Sequence, residues 1–245
     1  MSSIAPTTVA GQTRSDVTTS SVRFFFVAHL ALLLAVLVGF AHSFYLRPLF
    51  SSRPLPPILY LHGAVLTGWF ILIAVQGWLA LTQNFRAHRR TGFVLATYAT
   101  LVVAMGLVAD LRMATEITSP RDGDNIVFWG NLFGLILYAT YVSLALLFRK
   151  SPEVHKRLVL LASFAIVGPA LARFADILPG GPAARPLYGI GGILALYISL
   201  IVFDVIVRRR PHPVSSIGML AALVLLGMAG YLAFSGVGFA ILHGT

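Results

Sequence analysis

From Ile58 to Leu81 the chain contains no Asp, Glu, Lys or Arg. About 20 apolar residues of helix cross the hydrocarbon core of a bilayer, and this stretch supplies them. Lipid offers the main chain no hydrogen-bond partners, so a segment of this composition has to satisfy its own N–H and C=O groups as a helix. Seven such runs occur, over 24–46, 57–81, 92–112, 126–148, 157–178, 186–207 and 216–242. They predict an all-α fold, a polytopic integral membrane protein with seven transmembrane helices in one bundle. Residues 1–22 are rich in Ser and Thr, lack an apolar period and are expected to form a disordered cytoplasmic tail, with the transmembrane domain over 23–245.

Only 11% of residues are charged and 58% are hydrophobic, against about 25% charged in soluble domains. The net charge of +10 does not make a nucleic-acid surface, because its Lys and Arg are spread over short loops between the apolar runs. Those loops set orientation instead. If the helices alternate, the N-terminus and the second, fourth and sixth loops carry twelve of the 18 basic residues, among them Arg86, Arg89, Arg90, Lys150 and Arg208 to Arg210. Basic loops stay inside, which places the N-terminus in the cytoplasm and the C-terminus outside a bacterial inner membrane. The chain has no cysteine, so disulfides, thiolate metal sites and thioether-linked haem are excluded. No internal repeat emerges and no span reads as broken, which counts against a transporter.

Ionisable residues at membrane depth cost about 2.5–3.5 kcal/mol each on insertion scales and call for a reason. They fall into two layers. Near the outer face, His42 ends the first span and His62 opens the second, both about 6–8 Å below the surface. Arg112, Arg173 and Asp176 lie at the same level. Near the cytoplasmic face lie Gln76, His88, His155 and Asp204. His62, Trp69, Gln76 and Gln83 recur every seven residues, a polar stripe that points into the bundle. Eighteen residues, five helical turns, set His155 and Arg173 on one face of the fifth span, whereas His29 and His42 point to largely opposite faces. Local pairing is the plain alternative for Arg173 with Asp176 and for Asp204 with Arg208.

Paired imidazoles on facing helices suit haem iron, with arginines for the propionates. On that reading haem b has axial pairs His42/His62 and His88/His155, and Arg112 and Arg173 hold propionates. Zinc or copper would find too few ligands. Other readings stay open: a cofactor-free membrane enzyme acting on a lipid-like substrate through the outer His/Arg/Asp cluster, a transporter or sensor of a small apolar ligand, or a scaffold. The partners expected are the lipid bilayer and a redox partner or small apolar ligand, with no nucleic acid.

The segments HGAVLTGWFILIAVQ, HRRTG and SPEVHKRLVLLASFAIVGPALARF resemble a group of uncharacterised bacterial multi-pass membrane proteins. The match rests on His62, Gln76, His88, Arg89, Gly92, His155, Arg157 and Arg173, across the middle half of the chain. That group is similar in layout to cytochrome b561-type proteins, in which an HG-led helix with a following Trp supplies a haem ligand; His62, Gly63 and Trp69 fit that piece. The resemblance implies haem and electron transport. The cytochromes place four histidines on four consecutive helices, and here the fourth span has none.

Overall fold

The computed structural model describes residues 14–244, with side chains from residue 21 onward. It is a helical bundle, with no strand among the described residues. The main helices are α1 (Arg14–Gly39), α2 (Pro57–Leu81), α3 (Phe85–Ala114), α4 (Gly123–Leu147), α5 (Pro152–Ile166), the short α6 (Gly168–Ala172), α7 (Gly192–Arg208), α8 (Pro213–Phe234) and a terminal segment of about two turns, α9 (Val237–His243). Six segments are long and apolar enough to cross a membrane on their own; α5 and α6 together make the seventh. Exposed Leu34, Ile71, Phe93, Leu147, Ile206 and Ile217 lie on the outside of these helices, where lipid is the solvent that accepts them. This is a multi-pass membrane protein.

Several span limits differ from those the apolar runs suggested. Helix α1 starts at Arg14, inside the stretch expected to be a tail; residues 1–13 lie outside the described residues. Its outer end is Gly39, followed by a π-helical turn, Ala41–Tyr45, so His42 is beyond the regular helix. The seventh run divides at Gly236, whose φ of 79° ends α8 and starts α9.

The fifth span is broken, against the expectation of unbroken spans. Helices α5 and α6 meet at Val167 with a bend of 48°. Pro169 is the cause: it has no N–H for the carbonyl of Ala165 four residues earlier, and its ring crowds that carbonyl. The freed Ala165 oxygen lies against Gly134 of α4, where any Cβ would collide with it. Gly39 does the same for the Ala170 carbonyl of α6, so α1 packs closely on the second half of the span.

Helices adjacent in sequence pack as neighbours from α1 to α5, and α4 also packs on α8. The central core contains Trp69, Phe70, Ile73, Val102, Tyr138, Leu161, Phe164 and Leu200, all buried. A smaller cluster of Ile117, Phe128, Trp129, Ala229 and Ala233 closes the opposite end from the basic loops. Asn125 ties that end, donating to the carbonyls of Pro120 (3.2 Å) and Ala233 (3.1 Å) and accepting from Trp129 Nε1 (3.1 Å).

At the basic end, Arg157 of α5 and Asp204 of α7 form a buried ion pair, with side chains 1% and 0% exposed. Asp204 also accepts from the His212 N–H (3.2 Å) and the Ser215 hydroxyl (2.6 Å), which ties α8 to the pair. Glu153 completes Arg157 at 2.8 Å. Asp204 therefore does not pair with Arg208, as its spacing suggested; Arg208 reaches towards Glu153 at 3.8 Å. The long-range partner wins because Arg157 and Asp204 would otherwise be isolated charges away from water.

Candidate functional site

A pocket lies near the basic end, between α1, α2, α3, α4 and α5. It is a cavity of about 160 Å³ whose wall includes His29, Trp69, Gln76, His88, His155 and Lys156 among apolar side chains such as Phe25, Ile73 and Val142. The three histidines come from three helices: α1, α3 and α5. The polar stripe of α2 does point inward here: Trp69 and Gln76 are both buried, and Trp69 Nε1 donates to the Ser163 hydroxyl at 3.3 Å.

His155 is fixed by one strong contact. Its Nδ1–H donates to the Ala145 carbonyl of α4 at 2.8 Å, because a carbonyl can only accept. Nε2 is then the basic nitrogen, and no hydrogen bond engages it among the described residues. His88 is within electrostatic reach of His155 and has two alternative arrangements. The Gln76 amide lies across the α3 main chain. With its nitrogen towards His88, it donates to the His88 carbonyl (3.2 Å) and to Nδ1 (2.6 Å), while its oxygen accepts from the Thr91 hydroxyl (2.7 Å) and the Gly92 N–H (2.9 Å). That orientation sets donors opposite acceptors at both main-chain groups, and it puts the His88 proton on Nε2. In the other arrangement the amide is turned over and Nδ1–H is donated to the Gln76 main-chain carbonyl at 3.2 Å.

His29 is the residue that sequence reasoning missed. It is 5% exposed, and neither ring nitrogen makes a well-formed hydrogen bond; the Phe25 main chain, one turn earlier, is the group within reach. Counting along α1 separated it from His42 but gave no reason to join it to His88 and His155. The signal available was depth: α1, α3 and α5 all run from the basic end, and each carries a histidine in the half nearer that end or close to it.

The outer residues do not assemble in the same way. His42 is exposed in the π-helical turn, its ring edge-on to Phe50 at 4.3 Å. His62 instead donates Nδ1–H to the Met105 carbonyl of α3 at 3.1 Å. The two rings engage different neighbours. Arg173 is within electrostatic reach of His62, lies over the Phe40 ring at 4.4 Å and donates to the Pro169 carbonyl at 2.8 Å. It does not pair with Asp176, which binds Arg185 at 3.0 Å. Arg112 is exposed beside Glu116 at 3.6 Å. His88 and Arg112 are separated by about 36 Å of α3 at 1.5 Å per residue, so neither Arg112 nor the similarly placed Arg173 serves the inner cavity.

Among the described residues no three His, Asp or Glu side chains come together to hold a metal ion. For haem iron, which needs two axial nitrogens, the donor chemistry on the inner wall is of the right kind: His155 presents a basic Nε2 with its Nδ1–H anchored, and His88 does so in its second arrangement. A scan of protein-family models gives no match to the chain, and comparison with curated proteins and with solved structures gives none either.

Proposed function

We propose that the inner cavity is the working site, that it holds a redox-active ring, and that the protein serves electron transfer within the membrane. One observation carries this: histidines from two helices, each with Nδ1 engaged by protein, share the wall of one largely apolar cavity. Second-contact anchoring of that kind orients an imidazole and fixes which nitrogen meets a ligand.

In its haem b form, His88 of α3 and His155 of α5 would hold the group. The group would supply a one-electron carrier. Gln76 then has to present its oxygen to His88, so that Nδ1 keeps the proton and Nε2 is free. The space between the rings has to widen, since about 160 Å³ is near the volume of an engineered cavity that holds a single benzene. His42 and His62 are not a second axial pair in this reading, because His42 faces Phe50. The N-terminus lies in the cytoplasm, on the same side as the basic loops, and this cavity faces that side.

The test is an absorbance spectrum of protein purified from haem-replete cells, oxidised and then reduced. Haem b gives sharp bands that vanish in His155→Ala with the bundle intact. Protein without bands removes haem from the site.

A further inference from the structure

We propose that the inner cavity takes the headgroup of a lipid-soluble quinone or quinol, with His29, His88 and His155 as its polar contacts. The proposal rests on the reading of this cavity as the site of a redox-active ring and names an organic ring as the occupant.

Size is the first argument. A void of about 150 Å³ holds one six-membered aromatic ring, and this cavity is about 160 Å³. A single-ring headgroup enters it without rearrangement, whereas a porphyrin does not. The wall matches a ring faced by apolar groups: Phe25, Ile73, Leu95 and Val142 surround it.

Polarity is the second. Two of the polar residues on the wall are already committed. Gln76 is bonded to the α3 main chain, and Lys156 to the Ser21 hydroxyl (2.6 Å) and Glu153 (2.5 Å). The histidines are not. With Gln76 oriented for the main chain, His88 offers an Nε2–H donor; His155 offers an Nε2 acceptor; His29 offers at least one nitrogen. A quinone presents two carbonyl acceptors on opposite sides of one ring, and a quinol presents two hydroxyls that both donate and accept. The wall can serve either form.

The third argument is His29 itself. A buried imidazole without a well-formed hydrogen bond is destabilising, and the Phe25 main chain one turn earlier can engage at most one of its two nitrogens. His29 stands on the cavity wall, with Gly77 of α2 packed close to Phe26, where a Cβ would lie 3.3 Å from that residue. At least one nitrogen is thus left for a hydrogen-bonding ligand in the cavity.

The experiment titrates the full chain in lipid nanodiscs with decyl-ubiquinone and follows tryptophan fluorescence, since Trp69 forms part of the wall. Saturable quenching is expected, largely lost in Trp69→Phe. Loss of one hydrogen bond in His29→Leu or His155→Leu should weaken the midpoint about tenfold, and His29→Gln, which keeps a donor and an acceptor, should stay within about threefold. Quenching that rises linearly with quinone, or a saturable curve with the same midpoint in both Leu variants, overturns the proposal. Haem bands that depend on His155 overturn it too, but leave the electron-transfer reading in its haem form. Neither bands nor saturable quenching removes both.

Discussion

Replacing Asp204 by Ala removes the anchor of the basic end. In the folded protein the Asp204 carboxylate receives Arg157 through Nε at 3.0 Å and through Nη2, the His212 N–H at 3.2 Å and the Ser215 hydroxyl at 2.6 Å. After the change Arg157, 1% exposed, keeps only Glu153, whose carboxylate is half exposed and shared with Lys156. Breaking one side of a buried pair costs about 3–5 kcal/mol, because the remaining charge stays away from water with its main partner gone. That is a large part of the stability of an ordinary domain. The assay is reversible unfolding in mixed detergent micelles, followed by helical circular dichroism, for the wild type, Asp204→Ala and the double variant Arg157→Met/Asp204→Leu. The single variant is expected to lose about 3–5 kcal/mol and the double variant to recover most of it, since an apolar replacement of both partners leaves no orphan charge. A single-variant loss below about 1 kcal/mol would refute the reasoning, because it would mean that water reaches Arg157.

Two further outcomes are expected. His212 lies in the loop before α8, where burial, then the charges of Arg157 and Arg208, hold its imidazole below the ordinary value against the opposing pull of Asp204 and Glu153. The folded state thus favours the neutral ring, whose Nδ1 accepts from the Val214 N–H at 3.1 Å; this stabilisation is complete above pH about 6.5 and is lost as pH falls through the lowered folded value. His212→Asn keeps a cap for α8 without a titrating group, so its melting temperature should fall less than the wild type's between pH 7.5 and 5.5, and parallel curves would count against the assignment. For orientation, a periplasmically active reporter fused after Thr245 should be active and its cytoplasmic counterpart silent; the reverse result would mean that the bent α5–α6 pair does not cross.

Much of the fold was legible because it depends on length and polarity alone. The run from Ile58 to Leu81 becomes α2 almost residue for residue, since Pro57 starts a helix well and nothing within it interrupts one. The break at Val167 was also written in the chain, as Gly168-Pro169, yet hydropathy averages over a window and does not register one missing N–H. Pairing was less readable. Asp204 has Arg208 four residues away, the spacing of a local pair, but its partner comes from 47 residues earlier, and only the packing of α5 on α7 reveals it. For the site, depth grouped His88 with His155, and both line one cavity. The same depth argument paired His42 with His62, but it does not register the π-helical turn that carries His42 past Gly39. His29 escaped because an orphaned nitrogen is a property of surroundings, invisible until the helices are assembled.

The bend at Val167 divides the labour of one span. A helix with an unbroken ladder is a stiff rod, and any tilt at one end reappears at the other. Here the lower rod, α5, carries His155 and Arg157 and is pinned to the basic end, while the upper piece, α6, is seated on Gly39 of α1 and leads to Arg173. With the rung at Ala165 missing, the two pieces are oriented independently of one another. The basic end sets the direction of α5 and so places His155 on the cavity wall, while α1 sets the direction of α6 and of Arg173 with its carbonyl contact.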